Sequence, residues 1–125
     1  MKHVIDANGY AVDPQDGDVC PALNYNKTAV GGASTDIIPA PSDTTKMIQI
    51  LTMNVSAASA DNDYNLSSDG TVIWQDWAKY KEGYYRSEPE IGVIEGKVGK
   101  KITATLTAGS NINFSGRYRE YTPRS

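Results

Sequence analysis

Cysteine and histidine are nearly absent from the 125-residue chain, which contains only Cys20 and His3. A lone cysteine excludes an intrachain disulfide and a metal site built from cysteines alone. Cys20 also lacks a basic neighbour within several residues that would favour its thiolate, so nothing marks it as reactive. A Ser–His–Asp or Cys–His site would have to use His3, which disfavours nucleophilic catalysis of this kind.

Long apolar runs and a basic charge balance are missing as well. No stretch approaches the roughly 18 apolar residues of a membrane-spanning helix, and the opening MKHVIDANGY has no apolar signal-peptide core. The formal net charge is -3, whereas nucleic-acid-binding domains usually have a pI above about 9. We therefore expect no membrane contact, no nucleic-acid partner, and synthesis in a cytoplasm without export.

No motif in the chain points to a cofactor. GGAS and GKVGKK match neither G-x-x-x-x-G-K-S/T nor G-x-G-x-x-G. The segment DNDYNLSSDG has an oxygen side chain at every second position from Asp61 to Asp69, as in the calcium loop of a helix–loop–helix site. However, Leu66 occupies the position of the required glycine, and Val72 occupies that of the bidentate glutamate. In a β-hairpin the same spacing gives a solvated face and a turn, so we expect no metal or other cofactor. No pair of carboxylates is marked as catalytic, so we also expect no enzymatic activity.

The charged residues and prolines are unevenly distributed. Residues 1–45 contain two lysines, six aspartates and four of the six prolines, whereas residues 46–125 contain ten basic and nine acidic side chains. The first segment shows no regular periodicity longer than a few residues, and it cannot bury enough apolar surface to fold alone. We predict an extended N-terminal arm over 1–45 that contacts another surface through Ile37 and Ile38. A disordered tail is the alternative.

Strand patterns dominate the second segment, residues 46–125. KMIQILTMNVSA alternates, with one face expected to hold Met47, Gln49, Leu51, Met53 and Val55. KITATLTA and NINFSGRYREY alternate too, and the short AGSN between them predicts an antiparallel hairpin. Shorter strands are expected near 63–67, 71–75 and 90–95. These patterns predict an all-β domain, an antiparallel β-sandwich or jelly roll, preceded by the extended arm.

Both tryptophans and three of the eight tyrosines lie in TVIWQDWAKYKEGYY, residues 71–85. The DG turn and the β-branched run predict a strand through Val72 and Trp74, followed by an irregular or one-turn-helical crossover from Gln75 to Tyr85. The rings of this stretch are candidates for contact with a partner: Trp74, Trp77, Tyr80 and Tyr84. Structural packing or a subunit contact is the main interpretation. Exposed rings that stack on a glycan are the alternative.

One concentration of basic side chains follows in the sequence, and it comprises Lys97, Lys100, Lys101, Arg117 and Arg119. Basic side chains at a strand edge discourage edge-to-edge pairing between molecules. The same group is also suited to docking an acidic neighbour, or the acidic arm of another copy. Both interpretations of this basic group stay open at this point.

Residues 96–121, GKVGKKITATLTAGSNINFSGRYREY, resemble the closing hairpin of small head-decoration (cement) and related virion proteins of tailed bacteriophages. The shared elements are a Gly-rich turn, an alternating Leu/Thr strand, a small-residue turn, and a final strand with glycine and tyrosine: Gly96 and Gly99, Ile102 to Leu106, Ala108 to Asn111, then Gly116 and Tyr118. Upstream, TKMIQILTMNVSAASADNDYNLSSDGTVIW is similar to the two opening strands of such domains. The long aromatic crossover and the 45-residue leader depart from that pattern.

The resemblance implies a non-enzymatic virion protein that assembles as a homotrimer or another small homo-oligomer. It would bind the major capsid protein or another virion protein and stabilise the shell, with the arm lying across a neighbouring subunit. A thin core and an arm dotted with apolar residues agree with a fold whose stability is completed by neighbours. The alternative function is a glycan- or receptor-binding module of a phage tail or neck, which would use Trp74, Trp77 and Tyr80.

Overall fold

A computed structural model describes residues 4–5, 11–12, 21–80, 85–87 and 94–122, with side chains described for 21–80 and 94–122. These residues form ten strands and no helix. The strands are β1 (Val4–Ile5), β2 (Ala11–Val12), β3 (Leu23–Ala29), β4 (Ser34–Ile38), β5 (Met47–Ala57), β6 (Asn62–Ser68), β7 (Thr71–Ala78), β8 (Tyr85–Ser87), β9 (Ile102–Leu106) and β10 (Ile112–Tyr121). The prediction of an all-β, antiparallel β-sandwich is confirmed.

Two four-stranded antiparallel sheets pack face to face. The first sheet has the strand order β3-β10-β5-β8 and the second has the order β4-β9-β6-β7, while β1 and β2 form a separate two-stranded sheet. One face of each large sheet supplies the shared core, and the opposite face is called the outer face of that sheet. Phe114 of the first sheet meets Tyr64 of the second edge to face, with ring centroids 4.9 Å apart. Such a ring pair contributes about 0.5–1.5 kcal/mol beyond simple burial.

The core is built from aliphatic and aromatic side chains at alternate strand positions. Its fully buried large members are Ile38, Ile48, Ile50, Met53, Leu66, Ile94, Ile102, Ile112 and Phe114. Ile73 and Trp74 pack against this cluster while staying partly exposed. The core therefore draws on both sheets and also on Ile94, which lies outside the strands.

A β-bulge in β5 reverses which side chains of that strand reach the core. The consecutive residues Arg117 and Tyr118 of β10 pair with Thr52 and Ile50 of β5. Leu51 has no partner on β10 and is therefore the extra residue of the bulge. The core positions change from even numbers before the bulge to odd numbers after it: Ile48, Ile50, Met53, Val55 and Ala57. The prediction that Met47, Gln49, Leu51, Met53 and Val55 share one face is wrong, because one inserted residue reverses every side chain that follows.

Gly116 of β10 lies beside this bulge, opposite Met53. Its φ is 153°, and a Cβ placed on it would lie only 2.2 Å from the carbonyl oxygen of Thr52. The hydroxyl of Tyr25 donates to the same carbonyl at 2.9 Å. Glycine is therefore required here for the two strands and the Tyr25 ring to approach one another.

β3 and β4 fall inside the segment that the sequence predicts as an arm. β3 pairs with β10 and β4 pairs with β9, so each sheet takes an edge strand from residues 21–45. Ile37 and Ile38 are buried in the core, 4% and 0% exposed. The predicted domain boundary at residue 45 is therefore corrected, because residues 21–45 contribute strands to both sheets. The predicted partner contacts of Ile37 and Ile38 are corrected too, because both side chains are buried. These segments become strands by pairing with strands that are distant in sequence, and their local periodicity does not indicate it. Apart from β1 and β2, residues 1–20 lie outside the described ranges, and an arm there stays a prediction.

β9 and β10 belong to different sheets, so the predicted hairpin between them is wrong. Residues 107–111 instead cross from the second sheet to the first. Asn62 holds this crossing, because its Nδ2 donates to the carbonyl oxygens of Thr107 and Ser110, both at 2.8 Å. The small turn residues of this segment are compatible both with a hairpin in one sheet and with a crossing between sheets. The hydrogen bonds of Asn62 stabilise the crossing.

β6 and β7 do form a hairpin, and the short strands predicted near 63–67 and 71–75 are confirmed in extended form. Asp69 and Gly70 make the turn with φ values of 50° and 80°, as a two-residue hairpin loop requires. The strand predicted near 90–95 falls mostly outside the described residues. Within them, Glu95 forms a single antiparallel bridge with Gln49 of β5.

Candidate ligand-binding face

The outer face of the second sheet is polar and carries an exposed tryptophan. Burial of Tyr64 and Leu66 in the core directs Asp63, Asn65 and Ser67 of β6 outward, since side chains alternate along a strand. The residues opposite them on β7 and β9 share that orientation. This outer face comprises Ser34, Asp36, Asp63, Asn65, Ser67, Val72, Gln75, Trp77, Thr103 and Thr105.

The two tryptophans have different environments. β7 continues to Ala78, so the crossover predicted to begin at Gln75 begins no earlier than Lys79, and both rings belong to strand residues. Residues 81–84 of the predicted crossover lie outside the described ranges. Trp77 is 45% exposed. Trp74 packs against the core and donates from Nε1 to the Tyr64 hydroxyl at 3.2 Å. Trp74 is therefore a packing residue, and Trp77 is the ring that is open to a ligand.

Residues after β7 position the Trp77 ring. The ammonium group of Lys79 lies 5.4 Å from the centroid of that ring, a cation–π contact worth about 0.5–1 kcal/mol at an exposed site. Tyr80 is 38% exposed, and its backbone N–H donates to Asp61 Oδ1 at 2.7 Å. Tyr84 lies outside the described residues, so its contact with a partner stays a prediction.

An open groove of about 600 Å³ lies beside Trp77. This tryptophan groove is lined by Asp63, Tyr64, Asn65, Gln75, Asp76, Trp77, Thr105, Leu106 and Thr107. The Asp63 carboxylate accepts hydrogen bonds, whereas the amides and hydroxyls of the groove both donate and accept. An aromatic wall with a few converging polar groups is the common composition of a small-molecule site.

Two aspartates lie near Trp77, and they differ in orientation: Asp63 projects on the outer face, whereas Asp76 is paired with the buried Tyr64 and shares its side of the sheet. Asp76 Oδ1 accepts the backbone N–H of Trp77 at 2.8 Å. The Asp63 side chain projects from the adjacent strand, directly opposite Trp77. Neither carboxylate takes part in a salt bridge within the described part of the chain. The groove therefore combines an aromatic ring with one outward carboxylate, that of Asp63, which is available to donors on a ligand.

A second groove of about 460 Å³ lies at the opposite end of β9. This lysine groove is lined by Ser34, Ala40, Ser67, Asp69, Gly70, Gly99, Lys100, Lys101, Thr103 and Thr105. Thr105 lines both grooves, and its Oγ1 lies 2.7 Å from Ser34 Oγ. The two grooves thus follow one another along β9 on the same outer face.

Asp36 offsets the charge of Lys101 at the lysine groove. Lys101 Nζ donates to Asp36 Oδ2 at 2.9 Å, and Thr103 Oγ1 donates to Asp36 Oδ1 at 3.0 Å. These hydrogen bonds, chiefly that from Lys101, hold the pKa of Asp36 below its ordinary value. Both charged side chains are 54% exposed, so the pair stabilises the fold little but sets the local charge.

The basic group predicted from the sequence does not form one patch. Lys97, Lys100 and Lys101 are exposed and precede β9. On β10, Arg117 is exposed and Arg119 is buried. The lysines border the second sheet, whereas both arginines belong to the first. A single docking surface made of all five is therefore wrong.

Arg119 is fully buried on the side of the first sheet that faces away from the core. Its Nε donates to Gln49 Oε1 at 2.5 Å, and its guanidinium carbon lies 4.7 Å from the centroid of the Tyr121 ring. Gln49 Nε2 donates in turn to Glu95 Oε2 at 2.9 Å, and the Tyr121 hydroxyl donates to the same oxygen. Arg119 thus belongs to a buried polar network that fastens the segment around Glu95 to β5 and β10, and it is not a surface contact residue.

Sequence reasoning identifies Trp77 but misses the polar residues that surround it. In the sequence, Asp63 and Asn65 are noticed only because their spacing is that of a calcium-binding loop. In the structure, the same spacing places both side chains on the outward side of strand β6. The threonine row of β9 shows the alternation of a strand face but carries no mark of binding. Recognition of the site requires the order of the strands, because it joins Asn65 to Gln75 on one side and to Thr105 on the other.

Metal clusters and membrane-spanning helices are both absent from the described ranges. No group of three or more His, Cys, Asp or Glu side chains there is placed to hold a metal ion. In the same residues, no helix has the length and apolar character needed to span a membrane.

No protein-family model and no curated protein matches the chain. Among solved structures, the insecticidal delta-endotoxin Cry8Ea1 from Bacillus thuringiensis is similar, with a TM-score of 0.40 and 8% sequence identity. The match covers 93% of this chain and 22% of the toxin chain, so the chain spans less than a quarter of the toxin's length. A similarity at this level carries no functional argument.

Proposed function

We propose that the protein is a non-enzymatic carbohydrate-binding β-sandwich module whose ligand occupies the outer face of the second sheet. The observation that carries this proposal is the 45% exposed Trp77 ring at the wall of a polar groove. A pyranose has an apolar face of C–H groups and a rim of hydroxyls. The Trp77 ring is suited to stack on the C–H face, and the polar side chains of the groove are suited to hydrogen-bond the hydroxyls.

The arrangement of the polar groups supports a polyhydroxyl ligand. Asp63 only accepts hydrogen bonds when ionised, whereas Asn65, Gln75 and Thr105 both donate and accept. A sugar hydroxyl also donates and accepts, so each of these groups has a matching partner on such a ligand. The side chains project from strands of one sheet, which makes the site largely pre-formed.

The expected affinity is modest. Burial of roughly 100 Å² of apolar surface between the ring and a sugar stabilises the complex by about 2.5 kcal/mol. The hydrogen bonds add little net free energy because both partners are hydrated before binding. After the loss of translational and rotational freedom, we expect dissociation constants in the range of about 1 µM to 1 mM.

The test is a titration of the protein with soluble oligosaccharides, followed by calorimetry and tryptophan fluorescence. Trp77→Ala is expected to weaken binding at least about tenfold, which corresponds to about 1.4 kcal/mol. Val72→Ala is the matched control, because Val72 is 47% exposed on the same strand but does not line the groove. Unchanged binding by Trp77→Ala, or release of shortened sugars during incubation, would contradict the proposal.

A place in a virion is a separate proposal that comes from the sequence resemblance alone, and residues 96–121 do not form the hairpin on which that resemblance was based. Three of the residues expected to make contacts in capsid decoration need revision, since Ile37 and Ile38 lie in the core and Arg119 is buried. A carbohydrate-binding face is compatible with a tail or neck module that recognises a host surface. Co-sedimentation of the purified protein with phage shells tests attachment to the virion independently of sugar binding. A protein that stays in the supernatant with every candidate shell would refute the virion proposal and leave sugar binding unaffected.

A further inference from the structure

Two uncharged amides lie next to the Trp77 ring on the outer face. Gln75 precedes Trp77 by two residues on β7 and therefore projects to the same side of the sheet, and Asn65 of β6 is paired directly with Gln75. Both amides line the tryptophan groove. Neither of them has a hydrogen-bond partner among the residues that the structure describes, so both are available to a ligand.

The backbone pairing brings the two amides close together. The Asp63 carbonyl oxygen accepts the Thr107 N–H at 3.1 Å, and the Trp77 N–H donates to a side chain of its own strand. The backbone groups of the paired residues Asp63 and Trp77 therefore point away from each other. The pair Asn65–Gln75, two residues along the same ladder, is of the same kind. Residues in such pairs have Cα atoms only about 4.5 Å apart, and their side chains lie close together.

The hydroxyls on the other half of the outer face are bonded within the protein. Thr103 Oγ1 donates its proton to Asp36 Oδ1 at 3.0 Å, and Thr105 Oγ1 lies 2.7 Å from Ser34 Oγ. The hydroxyls of β4 and β9 thus have less hydrogen-bonding capacity left for a ligand than the side-chain amides of β6 and β7. The polar contacts of a ligand are therefore expected to concentrate beside Trp77.

Charge does not select a ligand at this face. Asp63 and Lys79 both lie near the Trp77 ring, and Asp36 and Lys101 offset each other at the lysine groove. Because side chains of both signs accompany the site, selectivity has to come from uncharged groups of fixed geometry.

A side-chain amide is suited to distinguish the orientations of sugar hydroxyls. Its oxygen accepts one hydrogen bond while its NH₂ group donates another in the same plane, so one amide binds two adjacent hydroxyls at once. Inversion of either hydroxyl leaves part of the amide without a partner in the complex, which costs more than the lost bond contributes. A stacked tryptophan needs only an apolar C–H face, so it is less sensitive to such an inversion.

We propose that Asn65 and Gln75 are the specificity-determining residues of the site, and that their amides bind adjacent hydroxyls of a short sugar segment stacked on Trp77. The positions of Trp77 and Gln75 are roughly 7 Å apart at about 3.4 Å per strand residue, so the ring and the amides contact one sugar or two neighbouring sugars. This inference rests on the carbohydrate-binding function proposed above. It adds the chemical group that is recognised, a pair of neighbouring hydroxyls, and the two side chains that recognise it.

The experiment compares sugar chains that differ in their hydroxyls. The probes are the β-1,4-linked hexamers of glucose, of mannose, whose hydroxyl at carbon 2 is inverted, and of xylose, which lacks the hydroxymethyl group at carbon 5. Calorimetry with the full chain is expected to give affinities that span at least about tenfold across the three hexamers. In the Asn65→Ala, Gln75→Ala double variant the span should shrink to about threefold or less, because the groups that distinguish the hydroxyls are removed.

Two further variants separate selectivity from affinity. Trp77→Ala should weaken the binding of all three hexamers by a similar factor and leave the span unchanged. Asn24→Ala is the matched control, since it removes an exposed amide from β3 of the first sheet and should change neither quantity. Gln75→Ala alone, at an exposed position, serves if the double variant does not fold, and it should reduce the span at least about twofold.

The NH₂ signals of the two amides provide a direct check by NMR. Those of Asn65 and Gln75 should shift during a titration with the tightest-binding hexamer, while those of Asn24 should not. Equal affinities for the three hexamers, an undiminished span in the double variant, or amide signals that stay in place during binding overturn this inference and leave the carbohydrate-binding function standing. Binding of none of the three hexamers overturns both.

Discussion

Trp74 and Trp77, three residues apart on β7, lie on opposite sides of the second sheet. Trp74 packs against the core and donates to Tyr64, while Trp77 is 45% exposed on the outer face. An odd separation along a regular strand places two side chains on opposite faces. One short aromatic segment therefore serves both the stability of the sandwich and its candidate site.

The two rings should differ in their effect on stability. Trp74→Ala is expected to lower the free energy of unfolding by about 2–3 kcal/mol, because it empties a half-buried position against the core. Trp77→Ala is expected to lower it by no more than about 1 kcal/mol, because the exposed ring loses chiefly its contact with Lys79. Urea denaturation of both variants measures the difference, and equal losses would show that the Trp77 ring is a packing element.

Gly116 should tolerate no side chain. Gly116→Ala is expected to cost about 3 kcal/mol or more, since the new Cβ meets the Thr52 carbonyl oxygen at 2.2 Å and neither strand yields without losing its pairing. Gly70→Ala is the control. Its φ is +80°, but no atom lies within 4 Å of the position that the new Cβ would take, so only backbone strain of about 1–2 kcal/mol is expected. Thermal denaturation of the pair separates the steric clash from the strain.

The two arginines of β10 should behave differently despite their proximity in sequence. Arg119→Met is expected to destabilise the protein by about 3 kcal/mol, because it leaves Gln49 and the carboxylate of Glu95 in a network that has lost its cation. Arg117→Met, at an exposed position, should change stability by less than about 0.5 kcal/mol. Chemical denaturation provides the measurement. A tolerated Arg119→Met would mean that the buried network contributes nothing to holding the segment around Glu95.

The Asp36–Lys101 pair predicts a small pH dependence. The pKa of Asp36 is lowered in the folded state, first by the hydrogen bond from Lys101 and then by that from Thr103. A carboxyl group whose pKa is lower in the folded state stabilises the fold at neutral pH, and this contribution disappears as the pH falls through the folded value. Because both side chains are 54% exposed, the stabilisation is small.

Carbon-detected NMR titration of the Asp36 carboxyl group measures this shift directly. Lys101→Gln is expected to raise the pKa of Asp36 toward its ordinary value of 3.8, because the largest cause of the lowering is removed. Lys97→Gln is the control, since Lys97 is an exposed lysine that is not among the groups acting on the Asp36 carboxyl. An unchanged Asp36 titration in Lys101→Gln would show that the ion pair does not persist in solution.

Local pattern predicts part of the fold correctly. The all-β class follows from alternation and β-branched composition, and the strands around 63–67 and 71–75 are predicted because the DG turn and the polar–apolar alternation are local properties. The same pattern fails at β5, where Leu51 interrupts the alternation without any change in composition. It fails at β3 and β4 as well, where only a few residues alternate and the hydrogen-bond partners are remote in sequence.

The candidate site divides in the same way. The sequence by itself determined that a tryptophan, two rows of oxygen-bearing side chains and a set of lysines occur on or beside β-strands, because residue type and period are written along the chain. Only the tertiary structure decided that Asp63 stands opposite Trp77, that Asn65 lies between Gln75 and Thr105, and that Arg119 is buried while Lys100 is exposed. The physical reason is that the burial of one shared core and the pairing of backbones distant in sequence fix the strand order and register. Local propensity does not encode which strands become neighbours.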